Sequence, residues 1–272
     1  MNGNRRRLAA LGVAALLTLG VGATAQAAPC GNDSSGFPAW VQNFKQEAAR
    51  AGISQRTLDR AFKNVSYATK TISADRNQKS FKLSFEQFMQ KRGAASIVSK
   101  GKRLKQQHAG LLAAIEQKYG VPPGPLLAIW GMESGFGAFS GNQHTVSAVA
   151  TLAYDCRRSA FFTEQLYGLL QLIQKGWLSP DFKGAAHGEI GQTQFLPANV
   201  VRFGVDGDRN GSVNLATTAD ALASTANFLR GHGWSRGGGY QPGQANFGAI
   251  QGWNAAGVYQ KAIAVIGAQI DG

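Results

Sequence analysis

Residues 126–137 of the 272-residue chain read LLAIWGMESGFG, and this stretch does most to decide the fold. It contains a single acidic residue, Glu133, and it ends with Gly135 and Gly137. A run of apolar residues that closes on glycines is typical of a buried helix with a left-handed residue after its last turn. The stretch therefore predicts a core helix that carries one carboxyl group near its C-terminus.

The surroundings of Glu133 favour acid chemistry. A carboxyl group held among Trp130, Met132 and Phe136 loses contact with water. Such desolvation disfavours the charged form and raises the pKa toward the range that suits a general acid. The stretch alone is equally compatible with a glutamate that points to solvent at the end of a helix.

The sequence on both sides predicts a mostly α-helical protein. Before the core helix, VPPGP at 121–125 forms a rigid turn that places proline at the start of a helix running from Leu126 to about Ser134. A long helix is predicted before it, from about Leu104 to Tyr119, with Gly120 as its end. No comparable strand pattern is present. Further helices are predicted at Val146–Ala153, Ser159–Lys175, Ala219–Gly231 and Ala256–Ile270.

The N-terminal part predicts a separate helical lobe with basic faces. Trp40, Val41, Phe44 and Ala48 recur at helical spacing, and Ser54 is a candidate helix start. We assign residues 28–105 to this lobe and residues 106–272 to a catalytic core. The lobe's basic residues include Lys79, Lys82, Lys91, Arg92, Lys100, Lys102, Arg103 and Lys105.

A second informative stretch reads GEIGQTQFLP at 188–197. Amide side chains beside glycines and an aromatic ring suit the wall of a sugar-binding groove, because amides bond to hydroxyl and N-acetyl groups. Taken alone, the stretch also fits an ordinary tight turn.

Together and in this order, the two stretches resemble the lytic murein transglycosylase B family. The resemblance extends from about Trp40 to the C-terminus. It implies a lysozyme-like helical core and non-hydrolytic cleavage of the β-1,4 bond between N-acetylmuramic acid and N-acetylglucosamine in peptidoglycan, with 1,6-anhydro-N-acetylmuramic acid as the new end. Further matching segments are YGVPP at 119–123, ATLAY at 150–154, Arg157 with Arg158, GHGW at 231–234, Trp253 with Asn254, and Tyr259.

The resemblance also implies roles for individual residues. Glu133 stands in the family's E-S-x-x-G motif as the one residue that first donates and then accepts the proton, without a cofactor in the chemistry. Gln194 is expected near the cleavage point, and Asn254 and Tyr259 are expected to contact the glycan. Phe195 is expected either to face a sugar or to belong to the core. Arg157 and Arg158 are expected to meet carboxylates of the stem peptide or to form surface ion pairs. Apart from the resemblance, the five tryptophans are expected mainly to pack in the core, and Trp234 and Trp253 are the two candidates for a sugar platform.

Two other functions remain open on the sequence. A hydrolytic muramidase would need a second group that activates water. Glu189 and Asp155 are the candidates in the sequence, although neither sits in a setting that favours catalysis. A non-catalytic protein that binds the cell wall or calcium is the other alternative.

A third stretch, DGDRNGSVN at 206–214, predicts a calcium-binding loop. Oxygen-bearing residues occupy loop positions 1, 3 and 5 and glycine position 6, as a loop that wraps a hard cation requires. Position 12 is Thr217 where a glutamate is usual, but the resembled family closes a longer loop with a later aspartate. We expect a structural Ca²⁺ held by Asp206, Asp208, Asn210, the carbonyl of Ser212 and Asp220, in a loop over 206–220. A metal-free turn is the alternative.

The first residues predict export. Arg5, Arg6 and Arg7 precede an apolar run and the sequence AQA at 25–27, which is typical of a signal peptide over residues 1–27. We expect a periplasmic protein without a membrane anchor, since no later stretch reaches about 18 apolar residues. Cys30 and Cys156, the only cysteines, can pair in an oxidising compartment or remain two thiols.

The net positive charge of the exported chain indicates which molecules it is attracted to. The three arginines are the only charged side chains of the signal, so the formal charge of +13 becomes +10 without them. A basic protein in the cell envelope is attracted to peptidoglycan carboxylates and anionic lipids, and export argues against nucleic acid as a partner. A generic basic surface is the alternative. We expect a monomer that binds glycan strands. Only a short Gly-rich segment joins Trp234 to Asn254, which predicts an open groove on that side.

Overall fold

The computed structural model describes residues 29–77 and 83–272. The predicted signal peptide and the basic residues Lys79 and Lys82 lie outside the described residues. Thirteen helices and one two-stranded antiparallel sheet, β1 (Gln143–His144) and β2 (Lys183–Gly184), lie within them. The helices are α1 (Phe37–Arg50), α2 (Gln55–Ala61), α3 (Thr69–Arg76), α4 (Phe85–Arg92), α5 (Ala94–Gln107), α6 (Ala109–Tyr119), α7 (Pro123–Ser134), α8 (Thr145–Tyr154), α9 (Ser159–Gln174), α10 (Pro197–Phe203), α11 (Thr218–Gly231), α12 (Phe247–Trp253) and α13 (Gly257–Asp271).

Helix α7 is the centre of the fold, as its sequence predicts. Its residues from Gly124 to Met132 are all buried, and Gly135 ends it with φ 61°. It packs against α13, α5 and α6, so apolar neighbours cover it on several sides. The Cβ of any residue larger than glycine at position 124 would lie 2.3 Å from the carbonyl oxygen of Gly267. The two helices therefore approach closely only because Gly124 has no side chain.

The predicted helix from Leu104 to Tyr119 is wrong in one respect, since the chain changes direction at His108. This residue ends α5 and precedes α6. Helix α5 packs on α7 and α13, whereas α6 packs mainly on α11. The His108 ring meets the Trp130 ring of α7 edge to face at 5.9 Å. These tertiary contacts override a hydrophobic pattern that looks continuous along the sequence.

Two short helices, α10 and α12, and the small sheet were not predicted. Each of these helices has seven residues, which is too short for helical periodicity to be distinctive. Helix α10 begins with a proline near its first position, after Leu196 in extended conformation. Ser54, by contrast, begins α2 as predicted, because its hydroxyl accepts a hydrogen bond from the Thr57 N–H.

The N-terminal helices share one core with the rest of the chain. Helices α1 and α3 pack on α8, α2 packs on α9, and α4 packs on α13. Phe44, Leu58 and Phe88 of these helices are fully buried and belong to the same apolar cluster as α7. The proposed domain boundary at residue 105, which falls inside α5, stays a prediction.

Cys30 and Cys156 form a disulfide bond. The bond holds the segment before α1 against the end of α8, where the Gly31 N–H donates to the Tyr154 carbonyl at 3.0 Å. A Cβ at Gly31 would lie 2.0 Å from the Tyr154 hydroxyl oxygen, so only glycine fits beside this ring. The bond closes a loop across a sequence separation of 126 residues. Among the described residues, no helix has both the length and the apolar character needed to span a bilayer.

Replacing both cysteines by serine is expected to lower the free energy of unfolding by about 2–4 kcal/mol, because the unfolded chain regains the freedom that the bond removes. Urea denaturation of the oxidised protein and the double variant measures the difference. Equal denaturation midpoints in both proteins would show that the bond does not stabilise the fold. The comparison with the reduced wild-type protein serves as the control.

Candidate active site

A groove with a cavity of about 290 Å³ runs across the face formed by the end of α7, the loop before α10 and the segment that joins α12 to α13. Its lining combines two carboxyl groups, an arginine, amides and aromatic rings. Such a mixture suits a polar, ring-shaped ligand such as a sugar. The lining residues are Glu133, Arg158, Phe161, Phe162, His187, Glu189, Gln194, Phe195, Leu196, Asn199, Phe228, Trp253 and Asn254.

Glu133 is partly buried at the end of α7, and two donors fix its carboxyl group. The Tyr259 hydroxyl donates to Oε1 at 2.7 Å, and the Trp253 indole N–H donates to the same atom at 3.0 Å. Because both bonds end on Oε1, the carboxyl group is held in one orientation. A fixed carboxyl group at the wall of a groove is what a positioned general acid requires.

The electrostatic setting favours the protonated form of Glu133. Burial raises the pKa of Glu133 above its ordinary value. The hydrogen bonds from Tyr259 and Trp253 and the positive charge of Arg92 act in the opposite direction, and the negative charge of Glu189 adds to the rise. The net result is a carboxyl group that keeps its proton at a higher pH than an exposed glutamate does.

Helix α4 of the N-terminal part supports Glu133 from behind. The Phe88 ring meets the Tyr259 ring edge to face at 5.8 Å, and the Arg92 guanidinium lies 5.4 Å from the centre of the Tyr259 ring. Arg92 also donates to the Met132 carbonyl at 3.4 Å. The contacts join α4, α7 and α13 around the carboxyl group. A cation over an aromatic ring adds a favourable electrostatic contact.

Ser134, which the sequence analysis did not single out for a role, connects the two stretches that carry the resemblance. Its hydroxyl donates to the carbonyl of Gln192 and accepts from the Gly137 N–H at 2.8 Å. Phe136 and Gln194 take positive φ angles of 63° and 54°, which are uncommon for residues other than glycine. The signal in the sequence was the position of Ser134, directly after Glu133 in the E-S-x-x-G motif.

The part of the chain that forms these contacts matches a known protein family. Residues 36–243 match the family model described as Transglycosylase SLT domain. The chain belongs to this family. The matched range contains Glu133, the groove loop before α10 and the predicted calcium loop.

The relatives of this SLT-domain chain agree with the family. It is similar to "Membrane-bound lytic murein transglycosylase B" of Escherichia coli strain K12, with 33% identity over 133 residues. These residues are 48% of this chain, and the match spans 37% of that relative's length.

Two solved structures show the same fold. SltB3 from Pseudomonas aeruginosa, in complex with NAG-NAM-pentapeptide, superposes with a TM-score of 0.81 at 28% identity over 87% of this chain and 80% of that one. The Escherichia coli lytic transglycosylase Slt35, in complex with calcium, gives a TM-score of 0.77 at 22% identity over 90% and 96%. The mostly helical, lysozyme-like fold predicted from the sequence is confirmed.

The structure of the SLT-domain chain brings Gln194, Asn254 and Arg158 to the groove with Glu133. Phe195 also lines the groove, but it is 2% exposed and its ring packs edge to face on Trp253 and Phe228. Tyr259 is 2% exposed and lies behind Glu133. Its contact is therefore with the acid, and the expectation of a glycan contact is corrected to a positioning role.

Arg157, Trp234 and Asp155 do not line the groove. Arg157 takes the ion-pair alternative, since it pairs with the buried Asp75 of α3, while Arg158 lines the groove and pairs with the same aspartate. Trp234 is buried, and its indole N–H donates to the Gly120 carbonyl at 2.9 Å, so it is a core residue. Asp155 pairs with Arg76 at 2.8 Å.

The loop that is predicted to bind calcium brings three carboxyl groups together. One side-chain oxygen each from Asp206, Asp208 and Asp220 lies within 4.8 Å of the others. The Asn210 amide oxygen accepts from the Ser212 N–H at 2.9 Å, which folds the loop tightly. Thr217 caps the N-terminus of α11, and Asp220 lies in the first turn of that helix. Three converging carboxylates suit Ca²⁺.

Replacing Tyr259 by phenylalanine is expected to lower the rate of glycan cleavage by about tenfold, the effect of losing one hydrogen bond of ~1.4 kcal/mol. The bond favours the ionised form of Glu133, so its loss raises the pKa of Glu133 further. Activity that needs protonated Glu133 falls as pH rises through this pKa, and the falling limb of the pH–rate profile should therefore move to higher pH.

Tyr240→Phe is the matched control, because the Tyr240 hydroxyl bonds to Asp271 and not to Glu133. The test is to measure kcat/KM as a function of pH for the native protein and the two variants. A falling limb at the same pH in Tyr259→Phe and in the native protein would show that Tyr259 does not shift the pKa of Glu133.

Proposed function

We propose that this SLT-domain protein is a lytic transglycosylase that cleaves the β-1,4 bond between N-acetylmuramic acid and N-acetylglucosamine in peptidoglycan without water. The observation that carries the proposal is the Glu133 carboxyl group, which is held by two hydrogen bonds to one oxygen at the wall of a polar groove. The relative SltB3 supports the choice of ligand, since its structures contain NAG-NAM-pentapeptide and NAG-anhNAM-pentapeptide.

In the first step Glu133 donates its proton to the glycosidic oxygen. Burial favours the protonated form before the reaction. As the bond between the oxygen and C1 of the muramyl residue breaks, the proton moves to the leaving N-acetylglucosamine. The carboxylate that forms on Glu133 is stabilised by the Tyr259 and Trp253 donors.

In the second step Glu133 takes a proton back. The C6 hydroxyl of the same muramyl residue attacks C1, and its proton passes to the Glu133 carboxylate. A 1,6-anhydro ring results, and Glu133 returns to its starting state. Ordinary glycosidases need a second carboxyl group to attack C1 or activate water. An internal nucleophile removes that need, so one acid is sufficient for the cycle.

The remaining groove residues position the glycan. Gln194 and Asn254 offer amide groups to hydroxyl and N-acetyl groups of the glycan, since both line the same cavity as Glu133. Arg158, which is 39% exposed at its side chain, offers a charge to a carboxylate of the stem peptide. The basic chain is exported to the periplasm and acts there as a monomer on glycan strands.

Glu133→Gln is expected to lower the release of muropeptides from purified sacculi by a factor of about 10² or more, because glutamine donates no proton to the leaving oxygen. Mass spectrometry of the soluble products identifies 1,6-anhydro-N-acetylmuramic acid ends with the native protein. Glu164→Gln is the matched control, because Glu164 pairs with Arg202 on α10 outside the groove.

Other outcomes identify other functions. Products that carry only reducing ends would show that the protein is a hydrolytic muramidase and not a transglycosylase. Binding to sacculi without any release would indicate a non-catalytic wall-binding protein. Unchanged activity in Glu133→Gln would show that Glu133 is not the catalytic acid of either enzyme.

The structure also supports a structural calcium ion in the loop over 206–220. Asp206, Asp208 and Asp220 would hold it with side-chain oxygens, joined by Asn210 and the Ser212 carbonyl. The ion would neutralise three carboxylates and brace the start of α11, whose packing against α12 supports the groove. It takes no part in proton transfer.

Ca²⁺ at a hundred times its Kd is expected to stabilise the folded protein by ~2.7 kcal/mol. The melting temperature should therefore be about 5–10 °C higher with calcium than with a chelator. Asp208→Asn removes an exposed ligand and should reduce this shift. Asp181→Asn, an exposed aspartate outside the loop, serves as the control. Differential scanning calorimetry measures the shift, and equal melting temperatures with calcium and with chelator would contradict the site.

A further inference from the structure

The groove contains a second carboxyl group that the proposed cycle does not use. Glu189 lies in the loop between β2 and α10 and lines the same cavity as Glu133. The two groups are close enough for the charge of Glu189 to raise the pKa of Glu133. The cavity of about 290 Å³ is large compared with the volume of about 30 Å³ that one water molecule takes.

The backbone around Glu189 is held firmly. The Ala185 N–H donates to the Glu189 carbonyl at 3.2 Å, and the next residue, Ile190, exchanges two backbone hydrogen bonds with Phe195. Gly188 takes a φ of 87°, and a Cβ there would lie 2.1 Å from a methyl carbon of Val149. Glu189 therefore stands on a rigid turn, which is where a precisely placed reacting group is best supported.

Glu189 is the groove end of a chain of three titratable groups. Its Oε1 lies 3.3 Å from Nδ1 of His187, and Nε2 of His187 lies 3.5 Å from Oδ1 of Asp75. The His187 backbone N–H also donates to Oε2 of Glu189 at 2.9 Å. Asp75 is buried and pairs with Arg157 and Arg158. The His187 imidazole therefore lies between two carboxylates and holds the Glu189 side chain in place.

The surroundings shift the pKa values of the two glutamates in opposite directions. Burial raises the pKa of Glu133, which favours its protonated form. Burial also acts to raise the pKa of Glu189, but the hydrogen bonds and charge of His187 outweigh it, so the pKa of Glu189 is lowered and its ionised form is favoured. Two carboxyl groups of one groove whose pKa values are pushed apart suit the acid and the base of a glycosidase that uses water.

We propose that Glu189, backed by His187 and Asp75, is a general base that gives the site a second, hydrolytic activity toward the same glycan bond. Glu133 protonates the glycosidic oxygen, and the bond from that oxygen to C1 breaks. A water oxygen then forms a bond to C1, while one proton of that water passes to Glu189. The products contain one added water, and solvent returns the proton to Glu133 and removes it from Glu189.

The inference rests on the proposed transglycosylase function, because both products begin with the proton from Glu133. The C6 hydroxyl and the activated water then compete for the same C1. The two products differ by one water in mass: an anhydro end from the hydroxyl and a reducing end from water. Their ratio therefore reports the second step alone and does not depend on the overall rate.

The test is the ratio of reducing ends to anhydro ends released from sacculi by the native protein, Glu189→Gln and Glu164→Gln. Products are reduced with borohydride at once and counted by mass spectrometry. We expect both kinds of end from the native protein. In Glu189→Gln we expect the ratio of reducing ends to anhydro ends to fall by a factor of about 10 or more, because the general base is lost. Glu164→Gln should keep the native ratio.

The outcomes separate the two proposals. Anhydro ends that persist in Glu189→Gln show that the variant is folded and that Glu133 still works. Only anhydro ends from the native protein, or an unchanged ratio in Glu189→Gln, would overturn the hydrolytic activity and leave the transglycosylase intact. Only reducing ends from the native protein, or no glycan products at all, would overturn the transglycosylase on which the inference rests.

Discussion

The burial of one carboxyl group between an indole N–H and a phenolic hydroxyl is the constraint on which the rest of the structure depends. A carboxyl group taken out of water is costly unless the protein supplies hydrogen bonds in place of the solvent. Here the acid is on α7 and its donors lie at the end of α12 and on α13, more than a hundred residues later in the chain. The fold must therefore bring α13 against α7. Gly124 permits this approach, since any larger side chain would meet Gly267.

The N-terminal helices help to hold Tyr259 beside Glu133. Phe88 and Arg92 of α4 pack on the Tyr259 ring, so they support this hydrogen-bond donor on the side away from the groove. On α3, Asp75 accepts from both Arg157 and Arg158 and thereby holds Arg158 in the groove lining. The segment that looks like a separate lobe in sequence thus supports both the acid and a charged residue of the groove. A lobe that moved freely would leave a buried carboxylate and two arginines without their partners.

The sequence predicted those features that local patterns determine. The apolar run before Gly135 was sufficient for α7. The sequence did not predict the break at His108, because the apolar pattern continues there and only packing against Trp130 and α11 distinguishes the two helices. It also left Arg157 between a stem-peptide contact and an ion pair, because nothing in the sequence places Asp75, 82 residues earlier, beside it. Long-range pairs of this kind are invisible to periodicity.

The charged groups next to Glu189 nearly cancel one another. A surplus of positive charge near the groove would favour ionised Glu133 and remove the proton before the reaction, while a surplus of negative charge would make the proton harder to give up. Arg157 and Arg158 are balanced by Asp75 and Glu189, so these four charges sum to zero. Glu189 therefore completes the balance whichever nucleophile reacts. Because the C6 hydroxyl comes with the substrate, the wall is free to carry a base for water without weakening the acid.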